Sequence, residues 1–359
     1  MCYLAAASFS SKLIDKTRKV KKLSGSLKRL ALATALLALT VGVAACGGTG
    51  SASGGDGSGG SLTLVAYSTP QEAYEEIIPA FNETPPGKDV GFDQSYGASG
   101  DQSRAIVSGL EADLAALSLE PDVTKLVDEG LVPQDWNQDK FDGFVTNSLV
   151  VFAVRKGNPE NIQTWDDLVT GDVEIITPNP FTSGGAQWNL MAAYGAQLEQ
   201  GKSEEEALEF LSQILENTPV QDKSAREALQ TFVGGKGDVL LSYENEAIAA
   251  QQAGEELDYV IPEETILIEN PVAVIDGADP KAQAFRDFLF TEEAQRIFQS
   301  KGYRPVLKQL HDEERFPTPE KLFEIGEFGG WDKVRAEFFD PENGSVAQIE
   351  EELGVSTSG

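Results

Sequence analysis

Short apolar segments that alternate with amphipathic segments of helical period are the feature that most constrains the fold of this chain. The run LTLVAY at 62–67 precedes PQEAYEEIIPAFNE, in which apolar residues recur at the spacing of one helix face. The same order returns near SLVVFAVRKG (148–157), a continuous apolar run, and in GDVLLSYENEAIAAQQ (237–252), where a strand runs into a helix. Repetition of strand, loop and helix predicts an α/β fold with a largely parallel sheet.

The first 45 residues have the pattern of a bacterial signal peptide. Eight lysine and arginine residues between positions 12 and 29 precede an apolar run at 30–45, which is shorter than the roughly 20 residues of a membrane-spanning helix. The run ends in VAAC, a close match to the lipobox, and a Gly/Ser-rich segment follows. We therefore expect a signal peptide at 1–45, a lipid anchor on Cys46 and a tether through residue 61. The alternative is an ordinary secreted protein with a cysteine after its signal.

Composition limits the partners of the remaining chain. Without the leader it has 314 residues, enough for one large or two medium domains, with 20 basic and 57 acidic side chains. The net charge near −37 argues against nucleic acid or anionic lipid as a partner. Cys2 lies in the leader, so the folded part has no disulfide, and the single histidine, His311, cannot build a metal cluster. We expect no metal, no cofactor and a monomer.

Three strand-to-helix junctions are rich in hydroxyl and glycine residues. They read YSTPQ at 67–71, YGASGDQ at 96–102 and FTSGGAQ at 181–187. Each supplies hydroxyls and backbone N–H donors at a helix N-terminus, where partial positive charge favours an anion. One such junction alone is usually an ordinary helix cap, but three in one chain predict a shared anion site at the carboxyl ends of strands. None contains a P-loop lysine, which argues against nucleotide phosphates.

Longer segments around these junctions resemble one family. ITPNPFTSGGAQWNLMAAYG, with VVFAVRKGNPENIQTWDDL upstream and GDVLLSYENEA downstream, is similar to the sulfate/thiosulfate-binding proteins of bacterial ABC importers. SYGASGDQSRAI and VAYSTPQEAYEEIIPAF resemble that family's N-terminal ligand loops, and the resemblance covers roughly residues 62–305. It implies a two-lobed type II periplasmic-binding-protein fold with a ligand cleft between the lobes. We expect one lobe at 62–147 with 270–359 and the other at 148–269, with crossings near 145–150 and 266–272.

The resemblance also implies which residues bind the ligand. Sulfate would be held by neutral donors of both lobes, including the Ser99 hydroxyl, with Arg226 beside the site but not against the anion. The ligand-binding residues that it implies are Ser68, Ser99, Gly100, Ser183, Gly184, Gly185, Ala225 and Tyr243. Three positions depart from the family pattern: Ser68 stands where aspartate is common, Tyr243 where a tryptophan N–H commonly reaches the anion, and Glu227 where a glycine often follows the Ala–Arg pair. A tyrosine hydroxyl can donate instead, with a different reach.

The chemistry of the junctions favours sulfate among tetrahedral oxyanions. Sulfate is fully deprotonated at neutral pH, so its site should offer donors and exclude carboxylates. Phosphate keeps a proton and benefits from an acceptor, and Asp101, two residues after Ser99, keeps phosphate open as an alternative. Thiosulfate and molybdate also stay open, because they differ from sulfate in size more than in the donors they need.

Together these observations predict a substrate-binding lipoprotein and not an enzyme. It would capture sulfate or thiosulfate at the outer face of the cell membrane, close by hinge bending, and dock on the permease subunits and their ATPase in an ABC importer. A secreted hydrolase that uses Ser99 or Ser183 is the alternative of another class. Neither serine lies in G-x-S-x-G, and the one histidine is distant in sequence. A structural or adhesive surface protein would leave the three junctions unexplained.

Overall fold

The computed structural model describes residues 60–357, so the predicted leader, Cys46 and most of the tether lie outside the described residues. The strands are β1 Ser61–Tyr67, β2 Gly91–Gly97, β3 Leu114–Ala116, β4 Phe144–Arg155, β5 Ile175–Ile176, β6 Val239–Tyr243, β7 Leu257–Val260, β8 Glu264–Val274, β9 Arg304–Pro305 and β10 Lys321–Phe323. The α-helices are α1 Gln71–Asn82, α2 Ser99–Val107, α3 Glu120–Asp128, α4 Gly184–Glu199, α5 Glu204–Glu216, α6 Ala225–Val233, α7 Glu244–Gln252, α8 Pro280–Leu289, α9 Glu292–Ser300, α10 Trp331–Phe338 and α11 Ser345–Glu352. Short 3-10 helices cover Trp165–Val169, Lys308–Leu310 and Ile325–Phe328. Among the helices of this described range, none is long and apolar enough to cross a membrane.

The predicted alternation of strands and helices is clearest in the first part of the fold. β1, β2 and β3 are each followed by a helix, and β1 pairs in parallel with both β2 and β3. Local sequence explains where helices begin: Ser203 and Glu206 form a capping box at α5, and acidic residues in its first turn complement the helix dipole. The predicted α/β class is confirmed.

The prediction of a largely parallel sheet is wrong. The main path of the sheet runs β2-β1-β3-β8-β4-β6-β5, with β10 beside β8 and with β7 and β9 beside β4. The long strands β4 and β8 run antiparallel to each other, β4 runs antiparallel to β6, and β8 runs antiparallel to β3. Alternation with helices predicts parallel pairing only for strands that a helical crossover joins. β4 and β8 pair with strands distant in sequence, so the alternation does not determine their direction.

Both β4 and β8 change their pairing partner part-way along their length. β4 pairs with β8 as far as Leu149 and with β6 from Val150 onward. β8 pairs with β4 as far as Pro271 and with β3 from Val272 onward. These changes fall in or next to the two stretches that we expected to cross between lobes. The lobe boundaries themselves stay a prediction.

The C-terminal tail packs on residues of the second predicted lobe. Trp331 lies edge-on to Trp188, with ring centroids 4.6 Å apart, and Phe338 lies 4.8 Å from Tyr194 in the same manner. All four side chains belong to one buried apolar cluster with Trp165. The sequence placed all of 270–359 in the first lobe, and that boundary stays a prediction. We propose that 321–357 belongs with the second lobe, because its apolar side chains are buried in that core.

Candidate functional site

The three predicted junctions meet around one small cavity, where β1, β2, β3 and β6 end. The residues that line it are Tyr67, Ser68, Thr69, Gly97, Ala98, Ser99, Ser118, Ser183, Gly185, Ala225 and Tyr243. None of these side chains is charged at neutral pH, so the cavity offers a guest hydroxyls and backbone groups.

Three helices begin at this cavity. α2 begins at Ser99, α4 begins directly after Ser183, and α6 begins at Ala225. The first N–H groups of a helix have no partner within the helix, and the aligned peptide dipoles place partial positive charge there. The backbone N–H groups and peptide dipoles of these helix starts therefore favour an anion in the cavity, although no charged side chain lines it.

Most of the predicted ligand-binding residues line the cavity, but two glycines do not. Those that line it are Ser68, Ser99, Ser183, Gly185, Ala225 and Tyr243. The Gly100 amide donates to the Thr182 carbonyl at 3.1 Å, so this N–H is already used. A Cβ built on Gly184 would lie 2.7 Å from Leu119 Cγ and 2.8 Å from Ser118 Oγ. Both glycines therefore allow close contact between the two predicted lobes.

The Ser99 hydroxyl is fully used inside the protein. Its Oγ donates to the Asp122 carboxylate at 2.6 Å and accepts the backbone N–H of Ser118 at 2.9 Å. Burial raises the pKa of Asp122, and the hydrogen bond from Ser99 opposes this shift. The expected role of Ser99 as a hydroxyl donor does not fit this arrangement. What Ser99 offers the cavity is its backbone N–H in the first turn of α2.

Asp122 was not found from the sequence, where Asp101 is the acid nearest to Ser99. Asp122 is 23 positions further along the chain than Ser99 and reaches it because α2 packs beside α3. Asp101 instead forms an ion pair with Arg104. Asp122 therefore accepts a hydrogen bond from Ser99, and it does not line the cavity.

The hydroxyls of Ser68 and Ser183 are available to a guest. Ser183 is 3% exposed and is the N-cap residue of α4, yet its side chain makes no capping hydrogen bond. Within residues 60–357 neither hydroxyl has a hydrogen-bond partner. A Cβ on Gly185 would lie 3.4 Å from Ser183 Oγ and 3.6 Å from Ala225 Cβ. The starts of α4 and α6 thus converge closely on the same point.

Ser118 lines the cavity as well, although sequence reasoning missed it. Ser118 Oγ and Tyr243 Oη are 2.6 Å apart, and each residue is 1% exposed. The Ser118 carbonyl accepts hydrogen bonds from the Trp188 indole at 3.0 Å and from the Asn270 amide at 3.2 Å, which fixes the position of Ser118. Burial raises the pKa of Tyr243 well above its usual value, so the phenol keeps its proton. The sequence position of Ser118, just after an apolar strand as at the other junctions, could have predicted its place in the site.

Arg226 lies behind the cavity and joins α6 to α1. Its guanidinium donates to both carboxylate oxygens of Glu72, to Glu246 at 3.0 Å and to the Thr69 carbonyl at 3.4 Å. Burial raises the pKa of Glu246, and the positive charge of Arg226 opposes this shift. Two carboxylates compensate the charge of Arg226, and Arg226 is not among the lining residues.

Comparison with known proteins decides the family. A family model described as "Bacterial extracellular solute-binding protein" matches residues 62–304, about two thirds of the chain. The chain belongs to this family. Its members bind solutes outside the cytoplasm and are not enzymes.

This solute-binding protein is similar to several proteins that are named sulfate-binding protein. The one from Synechococcus elongatus is 45% identical over 331 residues, which are 87% of this chain and 93% of that protein. The one from Escherichia coli is 38% identical over 294 residues, which are 77% of this chain and 88% of that protein. The family resemblance seen in the sequence is confirmed.

Solved structures support the same conclusion about the fold. The sulfate-binding protein SubI from Mycobacterium tuberculosis H37Rv matches at a TM-score of 0.76 and 44% identity, and covers 78% of this chain and 99% of its own. The periplasmic binding protein P5PA matches at a TM-score of 0.61 and 19% identity over 82% of this chain and 99% of its own, a likeness in fold alone. The predicted two-lobed fold is confirmed.

Proposed function

We propose that this protein captures sulfate, with thiosulfate as a second ligand, and delivers it to the permease and ATPase subunits of an ABC importer. The observation that carries the proposal is an uncharged cavity at which three helices begin. Such a site suits a guest that is negative and has only acceptors. The relatives named sulfate-binding protein support sulfate, and a thiosulfate-binding protein from Pseudomonas aeruginosa, 33% identical over 298 residues, supports thiosulfate.

The proposed contacts come from both lobes. From the first lobe we assign the Ser68 hydroxyl and the Ser99 backbone N–H, and from the second the Ser183 hydroxyl with the N–H groups of Gly185 and Ala225. Each hydrogen bond to a charged partner contributes roughly 1.5–3 kcal/mol. A few of them suffice for a micromolar affinity, which corresponds to about −8 kcal/mol. Because both lobes contribute, binding favours the closed arrangement of the lobes.

The lining also favours sulfate over phosphate. A protonated phosphate needs an acceptor at the site, and within the described part of the chain no carboxylate lines the cavity. Asp122 contacts the lining residue Ser99, but it accepts the Ser99 proton and is not itself a lining residue. A bound phosphate would therefore leave its own O–H group without a carboxylate acceptor, which is unfavourable in a buried site.

Titration calorimetry of the purified protein against a panel of tetrahedral anions tests the proposal. We expect one sulfate per protein with a dissociation constant near the micromolar range, competition by thiosulfate, and phosphate binding at least about 100-fold weaker because its O–H lacks an acceptor. Chloride at the same ionic strength serves as the control. Phosphate binding as tight as that of sulfate, or heat changes with no anion at all, would overturn the assignment.

We also propose that the protein is held at the outer face of the cell membrane by lipid on Cys46. Mass spectrometry of the protein extracted from membranes should find an N-terminal peptide that begins at Cys46 and carries the mass of a diacylglyceryl group. Replacement Cys46→Ala should abolish that mass, whereas Cys2→Ala should leave it unchanged, because Cys2 lies in the predicted signal peptide. A mature N-terminus at another residue, without lipid, would show that the proposed anchor on Cys46 is wrong.

A further inference from the structure

Two hydroxyls from opposite predicted lobes meet in the wall of the cavity. Ser118 follows β3, Tyr243 ends β6, and their oxygens are 2.6 Å apart with both residues almost fully buried. We propose that Ser118 is a specificity-determining residue, which together with Tyr243 always presents one O–H group to the bound oxyanion. This inference rests on the proposed function.

The count of protons in this pair supports the proposal. Ser118 and Tyr243 carry one hydroxyl proton each, and their mutual hydrogen bond uses one of the two. The Tyr243 hydroxyl is also within hydrogen-bonding reach of the Asn270 amide, whose N–H groups can donate to the phenol oxygen and use neither hydroxyl proton. The Ser118 carbonyl already accepts from Trp188 and Asn270. With the Asn270 amide as a donor, one of the two hydroxyls donates within the pair, and the proton of the other is left for a guest in the cavity.

This arrangement has a consequence for the choice of anion. An oxygen of sulfate can accept the second proton, which satisfies both hydroxyls in a buried site. A protonated oxygen of phosphate at the same place is a weaker acceptor, and its own proton finds no carboxylate among the lining residues. The pair therefore acts as a donor that favours fully deprotonated oxyanions.

The pair is also redundant, and this makes it testable. If Ser118 is replaced by alanine, Tyr243 still has a hydroxyl proton to donate, and Tyr243→Phe leaves the proton of Ser118. Only the double replacement removes the donor. Loss of one partner of a charge-assisted hydrogen bond with no substitute lowers affinity by roughly 10- to 150-fold.

A double-mutant cycle measured by calorimetry with sulfate tests the inference. We expect Ser118→Ala and Tyr243→Phe each to weaken sulfate binding about threefold, and the double variant to weaken it about 100-fold, well beyond the product of the single effects. The ratio of phosphate to sulfate affinity should rise about tenfold in the double variant. Single effects that simply multiply, or a double variant no weaker than Tyr243→Phe alone, would overturn the role of Ser118.

Three controls keep the outcomes distinct. Ser242→Ala removes a buried hydroxyl next to Tyr243 that does not line the cavity, and it should leave sulfate affinity within about twofold. Ser183→Ala removes a lining hydroxyl that has no substitute and should lower affinity at least about tenfold. Melting temperatures without anion identify variants that fail to fold. If the unaltered protein binds no sulfate, the proposed function fails and this inference with it; if it binds sulfate but the cycle is multiplicative, only this inference fails.

Discussion

Gly184→Val should weaken sulfate binding about 1000-fold, the equivalent of losing two or more hydrogen bonds to a charged guest. Gly184 is the first residue of α4 and lies directly against Ser118 and Leu119 of the other predicted lobe. A Cβ there would lie under 3.0 Å from atoms of both residues, and two further methyl groups would extend into the same contact. The side chain would therefore hold the lobes apart, so that one anion could not contact the donors of both.

Calorimetry with sulfate measures this effect, and a matched glycine provides the control. Gly326→Val introduces the same side chain at an exposed position, where a Cβ would meet no atom within 4 Å, and it should leave the affinity unchanged within about twofold. The melting temperature of Gly184→Val without anion should stay close to that of the unaltered protein, because the first position of a helix accepts valine with little loss of stability. Tight sulfate binding by this variant would show that the observed contact between lobes is not required for capture.

The loops of the site could be predicted because their signals are local. A hydroxyl and a glycine before an amphipathic run predict a helix start, and α2 and α4 begin within one residue of Ser99 and Ser183 as expected. Ligand sites in α/β sheets lie at the carboxyl ends of strands, so loops that follow strands are expected to lie close together there. Each of these rules uses only neighbours along the chain or the order of elements, and the structure brings the three loops to one cavity.

The contacts that modify those loops could not be predicted in the same way. Gly100 was expected to donate to a ligand, but its amide meets the Thr182 carbonyl, 82 positions away. The Ser99 hydroxyl was expected to do the same, but it meets Asp122. Both outcomes depend on how α2 packs against α3 and on how close the lobes lie. Tertiary packing of this kind leaves no periodic or compositional trace in the sequence, and the same holds for the antiparallel direction of β4 and β8.

Arg304→Met should destabilise the folded protein by about 3–5 kcal/mol at pH 8, the cost of leaving a buried carboxylate without its partner. Arg304 in β9 donates to both oxygens of Glu244, at 2.6 and 3.1 Å, and Glu244 is 0% exposed at the start of α7. The same guanidinium donates to the carbonyl groups of Phe316 and Pro317. Methionine fills a similar volume but supplies no donor, so the Glu244 carboxylate would be buried without charge compensation.

The pH dependence of this effect follows from the position of Glu244. Burial raises the pKa of Glu244 in the folded protein, and Arg304 opposes that shift. A raised folded-state pKa contributes stability that is full below the unfolded value and is lost as the pH rises through the folded value. Without Arg304 the folded-state pKa rises further. The difference in stability between the variant and the unaltered protein should therefore be largest at pH 8 and smaller at pH 5.

Urea unfolding at the two pH values measures both expectations, and two further variants separate the buried pair from ordinary surface charge. Arg296→Met removes a partner of Glu292 in an exposed helical pair and should cost at most about 0.5 kcal/mol. The double variant Glu244→Gln with Arg304→Met should recover much of the loss, because the neutral amide has no charge to bury. Equal destabilisation at pH 5 and pH 8, or no recovery in the double variant, would mean that Arg304 acts through packing on Phe316 and its carbonyl contacts. Recovery would instead show that an ion pair immediately next to Tyr243 stabilises the start of α7, and with it one wall of the cavity.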